Sequence, residues 1–377
     1  MRILQITPEA PGHFSGGKIG VKQTALSLVQ NGHMVDYVGP EIEDEEIRSL
    51  YNCIYILEPS DNVPLRIYDS LYMNTNRRYR AWKNLKLNYS LYDAFVLDFT
   101  KLNYVLNRIP SDRLIVRVHN VEADYSFYNY QYNKNFVNFL DRLFSGKRER
   151  QIVSQANKLL VLTEKDRFRL CELYGAPLEK TEIVPVCVRP PKEKEERGNS
   201  SREVKMIING SLWFGPNYEG IKWFLEKVYN QLNFPKTLIL AGSNPNKELV
   251  KKMSEFSDVT LVDTPSSMEP YFREADIAIA PVFHGAGMKV KVAEALSFGL
   301  PVIGTSHAFE GYTITHGINS FCSDDEDGFI NSLKDYYNLN MAERLHMRQE
   351  SQNLFQNNYS QICSNRIFQR VLSELKL

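Results

Sequence analysis

Short apolar segments alternate with longer amphipathic segments along most of the chain. In the first half the apolar segments are MRILQIT, HMVDYVG, CIYIL, AFVLD, LIVRVH and KLLVLT. Short apolar runs bounded by polar sequence are typical of parallel strands, because such strands are buried on both faces of the sheet. A glycine-rich loop and a helix from about Gly20 to Gln30 separate the first two runs, so the pattern predicts a right-handed strand–helix–strand unit.

The same alternation restarts after residue 203. The predicted strands are VKMIING, TLILAG, VTLVD, IAIAPV and PVIGT, and helices are predicted near 217–232, 247–256, 268–274 and 290–298. Two successive doubly wound α/β halves are therefore expected, and in such sheets ligands bind beyond the carboxyl ends of the strands.

Chain length and local composition predict where the domain boundaries lie. At 377 residues the chain exceeds what one hydrophobic core usually supports. We predict domains at 1–188 and 203–355, separated by a charged, proline-led linker at 189–202, and a C-terminal helical segment at 356–377. An apolar stripe that should pack against one of the halves is formed by Ile362, Ile367, Val371 and Leu375.

Charge and cysteine content exclude several functions. Lys and Arg together number 45, as do Asp and Glu, so no global field attracts nucleic acid or an anionic membrane. The five cysteines lack CxxC spacing, which argues against a zinc site or a disulfide framework and suits a reducing compartment. No apolar stretch of membrane-spanning length and no signal-peptide pattern is visible, so a cytoplasmic protein is expected.

The segment FHGAGMK follows one predicted strand and precedes a predicted helix. Gly285 and Gly287 would let the backbone approach a ligand closely, and the first-turn amides of the helix favour an anion. Lys289 and Lys291 add charges suited to phosphate, and Glu294 could accept hydrogen bonds from two ribose hydroxyls. Together these residues predict a nucleoside diphosphate site. Glycines that only shape the turn, beside solvated lysines, are the alternative.

The segment GAGMKVKVAEALSFGLPVIGT resembles the donor-binding segment of GT-B glycosyltransferases of family 4, the glycosyl transferases group 1. Other segments that resemble this family are NGSLWFGPNYEGIKWFLEKV, LILAGSNP, EPYFREADIAIAPV and LLVLTEKDRFRLCELYGAPLEKTEIVPVCV. The resemblance covers essentially residues 1–320. It implies two Rossmann-like domains facing each other across a cleft, with the donor held mainly by the second and the acceptor by the first. It also implies a last helix that crosses back onto the first domain.

The resemblance implies roles for individual donor-site residues. Lys289 or Lys291 would neutralise the diphosphate, and Glu294 would hold the ribose. The loop Gly16, Gly17 and Lys18 would face the donor across the cleft. The remaining residues implied to lie at the donor are Gly210, Ser211, Asn217, Gly285, Ala286, Gly287 and Met288.

His119, at the end of LIVRVH, matches the active-site histidine of the family. It would bond the donor sugar or stabilise a developing positive charge, although a histidine satisfied within the fold is the alternative. Together with Lys291 and Glu294 it is a predicted catalytic residue. Glu122 is the nearest carboxylate and is expected to orient His119 or to contact the acceptor.

This chain departs from the commoner pattern of the family, in which a second glutamate stands where Ala286 stands here. The contact with the donor sugar is therefore open, although a family subset with the pattern Gly-Ala-Gly-x-Lys-x-Lys resembles this chain better. The acidic run Asp325–Asp327 resembles a metal motif of the other main transferase fold. We expect it to be a solvated helix start, and no metal site is predicted.

Clues to the acceptor lie in the first half. The segment 76–92 mixes cations with aromatic residues, and it could meet an anionic lipid-linked or polymeric acceptor or a membrane surface. A solvated helix face is the alternative. The predicted acceptor residues there are Arg77, Arg78 and Trp82. The tyrosine-rich stretch after His119 suits stacking on sugar rings, or ordinary interdomain packing.

The resemblance implies a retaining, metal-independent hexosyltransferase that uses a UDP- or GDP-sugar and no other cofactor. Its acceptor would be a glycan or lipid-linked sugar in polysaccharide or glycoconjugate biosynthesis, at the inner face of the membrane. A nucleotide-sugar 2-epimerase of the same fold, or a non-catalytic sugar-nucleotide-binding protein, stays open. A dinucleotide dehydrogenase is disfavoured, because PGHFSGGKIG lacks the GxGxxG spacing.

Overall fold

The computed structural model describes residues 1–13, 15–59, 78–191, 203–213 and 215–375. The chain forms two compact units, Met1–Pro185 with Ser364–Leu377, and Val186–Cys363. Most of the predicted linker 189–202 lies outside the described residues, as does Arg77.

The first unit is built on a seven-stranded parallel sheet with strand order β3-β2-β1-β4-β5-β6-β7. Its strands are β1 (Arg2–Ile6), β2 (Met34–Gly39), β3 (Ile54–Ile56), β4 (Ala94–Asp98), β5 (Leu114–Val118), β6 (Lys158–Val161) and β7 (Thr181–Ile183). Its helices are α1 (Gly16–Gln30), α2 (Glu45–Arg48), α3 (Tyr79–Asn84), α4 (Glu122–Tyr132), α5 (Phe136–Gln155) and α6 (Glu164–Tyr174).

Two apolar layers cover the two faces of this sheet. Successive strand side chains point to opposite faces, so Ile3 belongs to one layer and Leu4 to the other, as do Val96 and Phe95. All four side chains are completely buried. This double burial explains why the strands are short continuous apolar runs rather than alternating ones.

The second unit contains a six-stranded parallel sheet with strand order β10-β9-β8-β11-β12-β13. Its strands are β8 (Val204–Ser211), β9 (Lys236–Ser243), β10 (Val259–Asp263), β11 (Ile277–Ala280), β12 (Val302–Gly304) and β13 (Phe321–Cys322). Its helices are α7 (Gly215–Trp223), α8 (Lys247–Met253), α9 (Glu269–Glu274), α10 (Val290–Ser297), α11 (Glu326–Asn338) and α12 (Met341–Leu354). Together the two sheets confirm the predicted α/β class.

The last helix, α13 (Gln361–Ser373), carries core side chains of the first unit. Phe368, Val371 and Leu372 are buried in the layer that also contains Ile3. The predicted stripe was wrong at Ile362, which is 59% exposed. Nine residues separate Ile362 from Val371, and at about 100° per residue this places the two on opposite sides of the helix.

The glycine-rich segment before α1 also differs from the prediction. Helix α1 begins at Gly16 rather than near Gly20, because the Ser15 hydroxyl accepts a hydrogen bond from the Lys18 amide and caps the helix. Gly16, Gly17 and Lys18 are therefore its first turn and not a loop. Within the described residues, no helix combines the length and apolar character needed to cross a bilayer.

Candidate functional site

Both sheets reverse their winding direction at one point, between β1 and β4 in the first unit and between β8 and β11 in the second. Helices on the two sides of such a switch point leave a crevice at the carboxyl ends of the strands, where ligands bind in doubly wound folds. The predicted donor residues of the second unit lie at the end of β8, after β8 and after β11. His119 and Glu122 follow β5, beside β4.

The turn between β11 and α10 depends on its glycines. Gly285 has φ of 119° and Gly287 has φ of 70°, conformations that side-chain-bearing residues rarely adopt. A Cβ placed on Gly285 would meet no described atom within 4 Å, so the backbone is open to a ligand there. The third and fourth amides of α10 donate to the Lys289 carbonyl and to Tyr312 Oη, so among the described residues its first two amides remain for an anion.

Lys291 lies in the first turn of α10 and reaches back to the end of β8. Its Nζ donates to Asn217 Oδ1 at 2.9 Å, and Asn217 Nδ2 donates to the Ser211 carbonyl at 2.9 Å. A Cβ on Gly210, whose φ is 129°, would lie 3.2 Å from this Nζ. The structure thus brings together Gly210, Ser211, Asn217 and Lys291, which are far apart in sequence.

Glu294, one turn further along α10, accepts a hydrogen bond of 2.9 Å from Asn209 Nδ2. Burial raises the pKa of Glu294 to about 7, although Lys291 and Asn209 oppose this shift. Burial likewise lowers the pKa of Lys291 to about 8, with Lys289 acting in the same direction and Glu294 against it. A half-buried lysine and a half-buried glutamate whose pKa values are both shifted towards neutrality are typical of a ligand site.

The other predicted donor residues differ in what they present. Lys289 directs its Nζ to the Gly287 carbonyl, which braces the glycine turn. The Met288 side chain is buried, and its sulfur accepts a hydrogen bond from the Val186 amide at 3.2 Å. Only the main chain of Met288 is therefore available to a ligand. Ala286 is half-buried in the turn, and in the first unit Gly16 and Lys18 are exposed.

His119 is held tightly within the first unit. Its Nε2 lies 2.8 Å from Asp98 Oδ1, and its ring stacks on Phe99 with centroids 4.1 Å apart. Phe99 has φ of 67°, an unusual conformation for a bulky residue that places its ring against the imidazole. Burial lowers the pKa of His119 despite the neighbouring Asp98, so the imidazole is neutral at pH 7.

Asp98 is the centre of a buried polar network that sequence analysis missed. Its Oδ2 accepts from Gln5 Nε2 at 2.7 Å, and its Oδ1 accepts from Thr24 Oγ1 at 3.0 Å. Arg117 donates to the same Thr24 hydroxyl at 3.1 Å. The sequence feature that could have revealed this network is the aspartate that ends the otherwise apolar run AFVLD. Asn209, which ends VKMIIN in the second unit, gave the same kind of signal.

The two described members of the predicted acceptor set in segment 76–92, Arg78 and Trp82, are both held within the first unit. Trp82 is 2% exposed and packs in the core of the first unit, with its ring 6.1 Å from that of Tyr89. It cannot contact an acceptor there, because helix α3 turns this large apolar ring inward. Arg78 is half-buried and donates from Nε to the Leu57 carbonyl at 3.0 Å. Arg77 lies outside the described residues.

The acidic run Asp325–Asp327 begins helix α11. The Asp325 carboxylate accepts a hydrogen bond from the Gly328 amide at 2.8 Å, and Glu326 and Asp327 lie in the first turn. Negative charges there are favoured by the helix dipole. In the described part of the chain, no group of three or more His, Cys, Asp or Glu side chains is arranged to hold a metal ion.

Comparison with known proteins agrees with this geometry. Residues 203–338 match the sequence model of the family Glycosyl transferases group 1. The match spans β8 to α11 and therefore includes the switch point of the second unit.

Similar chains extend the comparison to the full length. An uncharacterized 44.6 kDa protein in the cps region of Klebsiella pneumoniae is 23% identical over 399 residues, with 99% of each chain covered. A sucrose-phosphate synthase from Thermosynechococcus elongatus has a TM-score of 0.73 at 15% identity, covering 99% of this chain and 98% of that one. Anabaena Alr3699/HepE, solved in complex with UDP and glucose, has a TM-score of 0.66 at 12% identity, covering 99% of each chain.

Proposed function

Because residues 203–338 match the glycosyl transferases group 1 and the chain has the GT-B fold of glycosyltransferases, we propose that it transfers a hexosyl group from a nucleotide-diphosphate sugar. The acceptor is a glycan or a lipid-linked sugar, in the biosynthesis of a polysaccharide or glycoconjugate. The location of the Klebsiella relative in a cps region supports the polysaccharide assignment.

The observation that carries the proposal is the pair of contacts at the switch point of the second unit. Lys291 is held by Asn217 beside Gly210, and Glu294 is held by Asn209, so a cation and a carboxylate stand one helical turn apart. A diphosphate bound at the glycine turn would meet Lys291 and the amides of α10, and the ribose hydroxyls would meet Glu294. The complex of Alr3699/HepE with UDP supports uracil as the base of the donor.

The chemistry follows from these groups. As the glycosidic bond breaks, negative charge develops on the departing diphosphate, where Lys291, Lys289 and the α10 amides stabilise it. Protein cations can thus supply the charge stabilisation that a metal ion supplies in other transferases. The acceptor oxygen bonds to the anomeric carbon on the face that the diphosphate leaves, which gives retention, and its proton passes to the departing phosphate oxygen. Because Nε2–H of neutral His119 donates to Asp98, Nδ1 can accept a hydrogen bond from a hydroxyl of the donor sugar.

A membrane contact of the first unit is supported by helix α5. Its first turns carry apolar side chains on the side opposite its buried residues: Phe136 is 64% exposed and Leu143 is 55% exposed. Exposed cations flank this stripe, at Lys134, Arg142, Lys147 and Arg150. An apolar stripe with flanking cations fits an anionic lipid surface, where the acyl boundary takes the apolar side chains and the headgroups take the charges.

Vesicle sedimentation tests this contact. We expect binding to vesicles containing phosphatidylglycerol, weaker binding to phosphatidylcholine vesicles, and loss of binding in the double variant Phe136→Ser, Leu143→Ser. Equal binding of the variant, or a dimer in light scattering that the same changes dissolve, would exclude the lipid surface.

A donor-binding experiment tests the function itself. UDP-glucose and GDP-mannose are compared in thermal-shift and calorimetric titrations of the full chain, with Lys291→Ala, Glu294→Ala and the surface control Lys334→Ala. We expect one nucleotide class to bind, with loss in the two site variants and retention in the control. Incubation of the bound donor without acceptor then separates the alternatives. An epimer identifies an epimerase, whereas slow release of free sugar supports transfer.

A further inference from the structure

The first unit carries a second group of charged side chains at its own switch point. Glu9 follows β1, Lys101 follows β4, and Glu122 begins α4 after β5. Their positions correspond to those of the donor residues in the second unit, because they too lie beyond the carboxyl ends of the central strands. The donor chemistry described above uses none of them.

Glu122 has a buried carboxylate that makes no hydrogen bond to the described part of the chain. It is 2% exposed, and neither of its oxygens accepts a hydrogen bond from any described residue. Its charged neighbour is Lys101, whose Nζ lies 3.5 Å from Oε1. Buried polar groups in native proteins are normally satisfied, and an unsatisfied carboxylate costs stability. Because Lys101 balances the charge but no described residue donates a hydrogen bond, the Glu122 oxygens point to a hydrogen-bond donor from outside.

Glu149, on the neighbouring helix α5, shows the ordinary arrangement. It is also completely buried, but it accepts four hydrogen bonds of 2.7 to 3.1 Å. The donors are the amides of Glu122 and Ala123 and the hydroxyls of Thr100 and Tyr174. The fold can therefore satisfy a carboxylate in this region, and the contrast singles out Glu122.

Aromatic rings and a glycine shape the space beside Glu122. Lys101 Nζ lies 5.2 Å from the ring centroid of Phe99 and 5.1 Å from that of Tyr125, and its side chain is 27% exposed. A Cβ on Gly17 would strike the Glu9 carboxylate and lie 3.0 Å from the Phe99 ring. The Lys101 ammonium thus lies between two aromatic rings, and its partly exposed side chain marks the side open to solvent.

Glu9, Lys101 and Glu122 form a charged cluster, and its net charge indicates the class of ligand. Two carboxylates and one ammonium give no excess of positive charge, in contrast to the lysines at the glycine turn of the second unit. A phosphate or carboxylate on the ligand would be repelled. A buried carboxylate beside an ammonium can bind adjacent hydroxyl groups, and the partly exposed ring of Tyr125 suits packing against a sugar ring.

We propose that Glu9, Lys101 and Glu122 bind an uncharged sugar at the reacting end of the acceptor, with Glu122 accepting hydrogen bonds from its hydroxyls. The inference rests on the proposed function, since a transferase needs an acceptor beside its donor. It adds the chemical class of that acceptor and the residues that recognise it.

The cluster has a consequence for stability. Burial raises the pKa of Glu122 to about 7, and Glu149 and Asp141 add to this while Lys101 and Arg148 oppose it. Glu9 and Tyr125 also interact electrostatically with the Lys101 ammonium. Because the folded state holds the Glu122 proton more tightly than the unfolded chain, the stability this proton gives is present below pH 4.5 and is lost as the pH rises through about 7.

The first measurement compares Glu122→Gln with Glu149→Gln by thermal unfolding. We expect Glu122→Gln to raise the melting temperature at pH 8 by at least about 2 °C, and the gain to disappear at pH 5. Glu149→Gln should lower it at pH 8, because its hydrogen bonds are built for a carboxylate. A melting temperature of Glu122→Gln below that of the wild type at pH 8 would mean a structural ion pair and would overturn the inference.

The second measurement is saturation-transfer NMR on the UDP-loaded protein. The probes are p-nitrophenyl glucoside and galactoside, which are uncharged, and p-nitrophenyl glucuronide, which is anionic. We expect the wild type and the surface variant Glu172→Gln to bind the uncharged probes and not the glucuronide. Glu122→Gln and Lys101→Met should lose this signal while UDP affinity stays within twofold.

The outcomes separate the two proposals. Preferential binding of the glucuronide, no binding of any probe by the wild type, or unchanged binding by Glu122→Gln would overturn the acceptor assignment. In each of these cases UDP binding that depends on Lys291 leaves the transferase proposal standing. Absence of nucleotide-sugar binding by the wild type would overturn the proposed function instead.

Discussion

A Cβ atom on Gly20 would lie 2.5 Å from Nδ1 of His119. Gly20 is buried on α1, and the imidazole fills the space where a side chain would stand. The close approach fixes the ring between α1 and Phe99, with its Nε2 on Asp98. A glycine in the interior of a helix costs about 1 kcal/mol relative to alanine, so this position sacrifices helix stability for the placement of one side chain.

Gly20→Ala should therefore displace His119 and weaken its contact with Asp98. We expect sugar transfer, or donor hydrolysis where no acceptor is supplied, to fall at least about tenfold, because a small misplacement of an active-site group has effects of this size. UDP affinity should stay within a few-fold, since the phosphate and ribose contacts lie in the second unit.

Gly146→Ala is the matched control, because its Cβ would meet its nearest neighbours only at 3.6 and 3.8 Å. It should leave activity unchanged and keep or raise the melting temperature. Full activity in Gly20→Ala, with a folded protein, would show that the position of His119 does not matter for the reaction.

UDP affinity should weaken as the pH rises above about 8. Burial lowers the pKa of Lys291 to about 8, so the free protein loses this charge in that range, and the diphosphate binds the protonated form. Well above the pKa of Lys291, the dissociation constant of UDP is expected to rise about tenfold for each pH unit. Calorimetry between about pH 7 and 9.5 measures it. In Lys291→Arg the guanidinium stays charged, so the slope should vanish. An equal slope in both proteins would contradict the role of Lys291.

Ribose recognition should depend on pH in the opposite direction. The pKa of Glu294 is raised to about 7, chiefly by burial, and its carboxylate form accepts hydrogen bonds from hydroxyl groups. Uridine, which has the ribose but no titrating phosphate, should bind several-fold more weakly at pH 5.5 than at pH 7.5 in NMR titrations. Glu294→Gln should bind weakly at both values. Constant uridine affinity in the wild type would argue against contact between Glu294 and the ribose.

Trp82 should matter for stability rather than for substrate binding. Since its ring is buried in the core of the first unit, Trp82→Ala is expected to lower the free energy of unfolding by about 3–5 kcal/mol in urea titrations. Trp213, which is 55% exposed, provides the control, and Trp213→Ala should cost less than about 1 kcal/mol. If the Trp82→Ala protein folded with normal stability, the buried position of Trp82 would be contradicted.

Several features of the site were predictable because they are local in sequence. The glycine turn needs positive φ, which only glycine adopts readily, so Gly285 and Gly287 reveal it without a structure. Lys291 and Glu294 lie on one short helix, and their spacing alone places them a turn apart. Where the prediction failed, as at Trp82, an amphipathic segment had two faces of similar composition, and only packing decides which of them is buried.

The sequence by itself determined the alternation of buried parallel strands with helices, the two successive halves and the glycine turn, because each depends on residues that are neighbours along the chain. Only the tertiary structure decided that Asn209 would hold Glu294, that Asp98 would hold His119, and that Glu122 would be buried without a hydrogen-bond partner among the described residues. These relations join the ends of different strands. They follow from strand order and from the helices that cover each sheet, which local periodicity does not specify.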